Sequence, residues 1–362
     1  MCTVQNDFEP VRVLLTCVGG YFSFDTCEAL KQSEQMEVTL IGVDATAEAH
    51  GKHAVDAFYQ VPHAGKQPDA FTDRILEICA RESVDVLIPG SDEETAAISS
   101  KKPLFDEQDV CCTVWAHEKV ELVRNKVRLF DHLSENGISV PRYQMVDTGH
   151  DLETFLANSA YPEHRVILKP ATGRGARHLY IVDSDCTTPT REPEARDQVI
   201  GNRKVIEQKL DELETPYNLV GMEFLPGPVY DVDCLVSDGE SLCILPRRRL
   251  HEGPFSRGIE GHQIVQNHEI REKAERICRE LSLNYAFDMD FGTRDDGSHG
   301  LLEVNPRISG SVASGMSAGV NVLSLLLHLV KGMDLPDVQP AYGANAIPVH
   351  RMCFFRNSSN AG

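Results

Sequence analysis

Leu301-Leu302-Glu303-Val304-Asn305-Pro306-Arg307-Ile308-Ser309-Gly310-Ser311 is the stretch that decides how this chain is read. An apolar run delivers a carboxylate, an amide oxygen two residues later, and then a guanidinium. Residues two apart on a strand point to one face, so Glu303 and Asn305 can offer oxygens to a single cation. Mg²⁺ takes such hard ligands and commonly shares its shell with substrate phosphates. Arg307 lies past a proline that ends the ladder and is suited to hold a phosphate or carboxylate as a two-pronged fork. One Glu alone would read as a strand end with a surface ion pair. The three together, with partners upstream, read as a metal–nucleotide site.

Working outward, 286–292 and 300–305 read as a hairpin closed by Arg294-Asp295-Asp296-Gly297. Cross-strand neighbours meet on one face, so Asp290 joins Glu303 and Asn305 as a candidate set for one or two Mg²⁺. Asp288 shares that face and is the alternative ligand. Further upstream, 166–170 reads as a strand carrying Lys169, with 178–182 as its hairpin partner. Between them, Gly173 and Gly175 let backbone amides approach phosphate oxygens. Arg174 and Arg177 add charge, and Lys169 can reach inward as a point cation. A plain hairpin turn or an exposed basic patch would look the same in isolation; the acid/amide site downstream favours phosphate.

Met222-Glu223-Phe224-Leu225-Pro226-Gly227 ends a strand at a turn and reads as a hinge between two lobes. Backbone groups of Glu223, Phe224 and Leu225 can pair with an adenine edge, with the last two side chains as apolar walls. Asp231, just beyond, can accept from ribose hydroxyls. Alone, this would be an ordinary edge strand. Arg247-Arg248-Arg249 is a dense cationic run in an acidic chain. Alternation puts Arg247 and Arg249 on one face, where two like charges need an anion. A phosphate or carboxylate substrate is the anion favoured here, and a solvated strand end is the alternative. His251 and His262 lie nearby and read as hydrogen-bonded structural residues before they read as catalysts.

The first third has a different rhythm. Residues 11–18 form a continuous apolar strand, Gly19-Gly20 a turn, 25–32 a short helix, and 38–44 a second strand ending in Asp44. This opens a doubly wound α/β sheet. The turn lacks a full GxGxxG, so a Rossmann-like scaffold without a dinucleotide is favoured. Residues 71–81 form an amphipathic helix with Phe71, Ile75, Ile78 and Cys79 on one side, and 84–90 another strand. Ser91-Asp92-Glu93-Glu94 follows the C-terminal end of that strand, where α/β sheets bind ligands. A helix N-cap with acids in its first turn accounts for the same residues. Residues 118–136 carry one helical stripe, stopped by Gly137. Beyond it, 183–199 reads as a polar excursion, 205–209 and 219–225 as extended, and 231–236 with 242–246 as a hairpin about Ser237-Asp238-Gly239. Residues 271–281 and 320–331 read as helices.

With 362 residues the chain has room for roughly two or three domains. Its net charge of −20 leaves no basic face for nucleic acid, so no such partner is expected. No apolar run is long enough to span a bilayer, so no membrane partner is expected either, and residues 1–10 lack the basic-then-apolar pattern of a signal peptide. The 11 cysteines include no CxxC pair, which fits reduced thiols and a cytoplasmic location.

These clusters, in this order, resemble the ATP-grasp superfamily, in flavour the carbamoyl-phosphate-synthetase-like and biotin-carboxylase-like members. Asn125-Lys126 at a helix start, ahead of Gly137 and Pro141, looks like the first lysine segment. Leu168-Lys169-Pro170 through Gly175 looks like the second lysine and the phosphate loop, with Gly173, Arg174 and Gly175 on the nucleotide. Glu223, Phe224 and Leu225 look like the adenine hinge, and Asp231 like the ribose acid. Asp290, Glu303 and Asn305 look like the metal ligands, and Arg307 like the arginine for an acyl-phosphate. The resemblance implies an α/β fold, α+β in its ATP-grasp part. It places a Rossmann-like domain at 1–117, a two-lobed ATP-grasp domain at 118–335 with its lid lobe at about 140–220, and an extension at 336–362.

Some positions depart from the pattern. Asp290 is shorter than the usual Glu or Gln, the loop is Thr-Gly-Arg-Gly rather than a longer glycine run, and Ser311 stands where biotin-carboxylase-like members place a base. No second synthetase half or amidotransferase domain is recognised, so a full carbamoyl phosphate synthetase is not expected. The resemblance implies a carboxylate–amine ligase using ATP and Mg²⁺, with Mn²⁺ as a substitute, acting on amino acids or small peptides. Lys126 and Lys169 would hold the phosphates, and Lys169, Arg249 and Arg307 would be the catalytic set. Small-molecule carboxylate and amine partners follow, with a homodimer as one option. An enzyme releasing a free acyl- or carbamoyl-phosphate, or a nucleotide sensor with little turnover, are the alternatives.

Overall fold

The computed structural model describes residues 9–159, 161–173, 179–188, 198–251 and 260–349. Five parallel strands open the chain: β1 (Glu9–Leu15), β2 (Met36–Asp44), β3 (Ala57–Gln60), β4 (Val86–Ile88) and β5 (Cys111–Cys112), in the order β3-β2-β1-β4-β5. Val11, Val13, Leu14 and Leu15 of β1 are all buried, as happens when helices cover both faces of a parallel sheet. The helices of this unit are α1 (Ser23–Lys31), α2 (Pro68–Glu82), α3 (Asp92–Ser100) and the short α4 (Lys102–Asp106). α2 buries Phe71, Ile75, Ile78 and Cys79, the stripe read from the sequence. Because β1 has β2 on one side and β4 on the other, the ends of β1 and β4 open a crevice at a topological switch point.

The single helix expected over 118–136 is two, α5 (His117–Arg124) and α6 (Lys126–Glu135). Asn125 breaks it: its backbone is extended and its side chain accepts from Arg128 N, capping α6. The break places Lys126 at the first turn of α6, where its backbone N–H donates to Ala171 O at 2.9 Å.

A second sheet follows, β6 (Tyr143–Val146), β7 (Val166–Pro170), β8 (Leu179–Val182), β9 (Gln198–Gly201) and β10 (Leu219–Glu223), ordered β6-β10-β7-β8-β9. α7 (Gly149–Asn158) starts with a capping box between Thr148 and Asp151. Residues 205–209, expected to be extended, lie instead in α8 (Arg203–Leu210). Asn202 caps it through Val205 N, Arg203 pairs with Glu207, and Ile206 and Leu210, one turn apart, are buried.

The third sheet is antiparallel: β11 (Val229–Ser237), β12 (Glu240–Arg249), β13 (His262–Ile264), β14 (Tyr285–Thr293), β15 (His299–Asn305) and β16 (Asn345–Ala346), ordered β15-β14-β11-β12-β13-β16. The strand β16 draws part of the 336–362 segment into this sheet. α9 (His268–Glu280) packs on one face, where Ile270, Ala274 and Ile277 meet Val232, Phe287, Met289 and Val304. The register of β14 and β15 slips once: Asp290 opposes Glu303 while Phe291 opposes Leu301, so Leu302 is a bulge. α10 (Val322–Val330) is apolar because it is core, with Val322 through His328 buried. Among the described residues no single helix is long and apolar enough to cross a membrane.

Candidate active site

Across the other face of the third sheet the alternation of β11, β12, β14 and β15 brings charged residues together. Asp231 opposes Asp290, Asp290 opposes Glu303, and Asp288 opposes Asn305. Arg247 and Arg249 project from β12 onto the same face. Their anions are the chain's own carboxylates, which corrects the expectation that a substrate anion must answer both. Arg247 is fully buried and donates to Asp233 at 2.8 Å and to Ser311 Oγ at 2.8 Å. Arg249 donates to Asp231 at 2.5 Å and lies 3.3 Å from Asp290 Oδ2. Both pairs are diagonal across the ladder, the reach long side chains have in a sheet. Asp231, expected to accept from a ribose, has its carboxylate held by Arg249 and by His262 Nε2 at 2.5 Å on the acidic floor. Arg248 leaves this face and reaches Gln263. His251 is exposed.

Above this floor stand the two lysines. Lys126 Nζ lies 3.3 Å from Glu303 Oε2 and donates to Gly173 O at 3.2 Å. Lys169 Nζ crosses from β7 to donate to the bulged Leu302 carbonyl at 3.1 Å. Burial, helped by the nearby Lys126, lowers the Lys169 ammonium to about 8 against the pull of Glu303. Burial would raise Glu303, but the charges of Lys126, Lys169 and Arg307 outweigh it and hold the carboxyl at about 2. Asp288 and Asp290 go the other way. Burial drives both up, Asp288 to about 7 and Asp290 well above the carboxylate range, where the neighbouring Asp231 adds to the effect.

Asp288 has both oxygens engaged, one by Arg307 and one by Asn305 Nδ2 at 3.3 Å. Asp290 Oδ1 is buried with no hydrogen-bond partner. An orphaned buried carboxylate oxygen facing Glu303 suits a hard cation. Among the described residues no three His, Cys, Asp or Glu side chains form a closed metal cage. Two carboxylates and the Asn305 oxygen leave the rest of an octahedral shell to phosphates and water, as Mg²⁺ prefers. Arg307 pairs with Asp288 and, through Nε, with Asp92 Oδ1 at 3.2 Å. Ser91 is the cap of α3, as the N-cap reading expects, and the next residue, Asp92, is the one that meets Arg307.

The hinge residues are placed by packing. Glu223 is an anchor: its carboxylate takes Arg294 Nε at 2.8 Å and its N–H goes to Arg142 O. Phe224 packs with Leu179 and Ile181 beside Ile167, which shares a face of β7 with Lys169. Leu225 lies buried against Gly292 and Gly300. Gly173 has φ 128°, outside the range of most side chains. Arg174 and Gly175 lie outside the described residues.

A cavity of about 350 Å³ joins this floor to the crevice of the first sheet, lined by Thr16, Cys17, Gly20, Gly90, Arg249, Asp290, Glu303 and Arg307. The strand ends there are zipped: Gly90 N donates to Thr16 Oγ1, which donates to Glu94 at 2.7 Å. A side chain at Gly90 would lie 2.5 Å from Thr16 O. Sequence reasoning missed Asp233 and Thr16; Asp233 was recoverable, being two residues from Asp231 on the same face.

A parallel sheet, a second mixed sheet and a charged antiparallel floor make up this fold. Residues 215–351 match the family described as ATP-grasp in the biosynthetic pathway with Ter operon, and residues 13–113 match the PylC-like N-terminal domain. The chain thus carries a PylC-like N-terminal domain and an ATP-grasp domain. It is 23% identical to the carbamoyl phosphate synthase large chain of Halobacterium salinarum, over 91% of this chain and 32% of that protein, so it spans about a third of that relative's length. Its fold is similar to the L-amino acid ligase from Bacillus licheniformis, with a TM-score of 0.61 at 16% identity, covering 89% of this chain and 74% of that one. It is similar also to the biotin carboxylase domain of the Hydrogenobacter thermophilus 2-oxoglutarate carboxylase, solved with MgADP and bicarbonate. There the TM-score is 0.66 at 15% identity, covering 92% and 73%.

Proposed function

We propose that this chain is an ATP-dependent ligase that activates a small carboxylate as an acyl-phosphate and joins it to an amine, releasing ADP and phosphate. The observation that carries this is the convergence of Lys126, Lys169 and Arg307 on Glu303, Asn305 and the unpartnered oxygen of Asp290. Lys126 and Lys169 hold the phosphates of ATP, and Phe224 with Leu179 and Ile181 walls the base. Mg²⁺, or Mn²⁺, held by Asp290, Glu303 and Asn305 supplies charge neutralisation, the main catalytic term in phosphoryl transfer. The substrate carboxylate attacks the γ-phosphorus, and Arg307 steadies the acyl-phosphate as a planar donor. Arg249 sets the charge of the floor through Asp231 and Asp290. The domain division at 117 and 118 and a cytoplasmic location belong to this proposal.

Phosphate and ADP release with MgATP, against amino acids singly and in pairs, tests it. Release that needs two substrates, with a product mass equal to their sum less water, is the expected result. Release with one carboxylate alone would favour a free acyl- or carbamoyl-phosphate product, the reading to which the synthase relative lends weight. ATP binding without turnover across the panel would favour a sensor.

A further inference from the structure

A second cavity, of about 1020 Å³, lies on the far side of the same wall. The two share Tyr21, Phe22 and Ser311, so these three residues stand between them. Tyr21 and Phe22 stack edge-to-face with ring centres 4.9 Å apart, and Ser311 is pinned by Arg247. The chemistry of the two differs. The smaller holds Arg249, Arg307 and the acidic floor; the larger sets apolar Phe24, Ile347 and Val349 beside Asp25, His50 and His53. Among the described residues no arginine lines the larger cavity. Its lysine, Lys52, already pairs with Glu48 at 2.5 Å. Ile347 and Val349 are 68% and 81% exposed, apolar surface that a ligand would cover. Ligand pockets for drug-sized molecules run to about 300–1,000 Å³, so the smaller cavity suits an amino acid and the larger a longer body.

We propose that the larger cavity receives the amine substrate, a molecule of dipeptide size with an apolar body and no phosphate. Its amine passes between Tyr21, Phe22 and Ser311 to the acyl group beside Arg307. The assignment rests on the ligase reading above. The amine nitrogen bonds to the acyl carbon, the bond from that carbon to the phosphate oxygen breaks, and phosphate leaves with the electron pair. The surplus proton on nitrogen passes to the departing phosphate. A phosphorylated acceptor would find no arginine among the described lining residues and would face the acids Asp25 and Glu48, so it is disfavoured.

Leu-Phe amide tests this, because it offers an amine and an apolar body without a carboxylate to compete for the smaller cavity. Its binding to the full chain is measured by calorimetry beside glycine amide and O-phosphoethanolamine, without nucleotide. Amine-dependent phosphate release is measured in parallel. Leu-Phe amide is expected to bind at least about tenfold more tightly than the other two, and Ala313→Phe, which fills the cavity, to weaken it about tenfold. Val349→Asp, at an exposed position that does not threaten folding, is expected to weaken it about threefold by the same apolar argument. Equal binding by wild type and both variants, or preference for O-phosphoethanolamine, overturns the assignment. Cavity-dependent binding with no turnover for any substrate pair would instead break the ligase reading and leave the ligand site standing.

Discussion

The two faces of the third sheet are made by adjacent residues and obey opposite rules. Val232, Met289 and Val304 pack against α9, and each large apolar side chain there contributes roughly 1.5–3 kcal/mol by leaving water. Asp231, Asp290 and Glu303, one residue away on the same strands, lie buried against arginine and lysine. Desolvating such charges costs several kcal/mol per ion, which their mutual attraction about offsets. One face therefore makes the fold, and the other is held in place by it. Charges that give little stability are kept where their chemistry is the return.

Breaking the charged face at its centre should show the largest effect. Glu303→Gln or Lys169→Ala is expected to cut ADP formation by about 10²–10³ or more, as loss of a preorganised charge does, with melting temperature little changed. Lys169 strengthens this expectation. Its folded value near 8 lies below the ordinary lysine value of 10.5, so its ammonium opposes folding at neutral pH, and that penalty lifts as pH rises through 8. Normal turnover in either variant would sink the site.

The neighbours Met289 and Asp290 sharpen the contrast. Met289→Ala should cost about 2–5 kcal/mol in urea unfolding and leave turnover of the folded fraction intact. Asp290→Asn should leave the urea midpoint nearly unmoved and remove Mg²⁺-dependent turnover. Parallel losses in both variants would mean the faces are not separable.

A smaller effect concerns pH. Below about 8 the Lys169 ammonium is already formed before nucleotide arrives; above it a phosphate must recruit the proton. ATP binding should weaken about tenfold from pH 8 to 9 or slightly beyond, with proton uptake seen by calorimetry in buffers of different ionisation heat. Flat affinity across that range would separate Lys169 from the phosphates. The smallest expected effect is at Asn125: Asn125→Ala should cost about 0.5–2 kcal/mol as a lost cap. It should also raise the KM for ATP, because Lys126 starts the capped helix.

Local periodicity carried much of this into the sequence. The stripe of α2, the hairpin of β14 and β15 and the opening βαβ unit each follow from spacing within a dozen residues. What failed was set by distant partners. α8 looked extended because Val205 and Ile206 favour strands, until Asn202 and the Arg203–Glu207 pair are weighed. The 118–136 stripe is continuous in period, and its break at Asn125 comes from a bridge to Thr172. Arg247 and Arg249 sat correctly on one face, but their anions, Asp231 and Asp233, lie on a neighbouring strand. Asp92 meets Arg307 across more than two hundred residues of chain.

The bulge at Leu302 works as a phase shifter. Strict alternation would put Leu301, Glu303 and Asn305 on one side, yet Leu301 and Val304 lie in the α9 core while Glu303 opposes Asp290. One extra residue lets a single strand change sides midway, with its displaced carbonyl facing Lys169. Many residues could stand at position 302, because it is its backbone carbonyl that Lys169 meets. Deleting it would leave Leu301, Glu303, Val304 and Asn305 on their present faces in regular alternation, and would cost the site that displaced carbonyl.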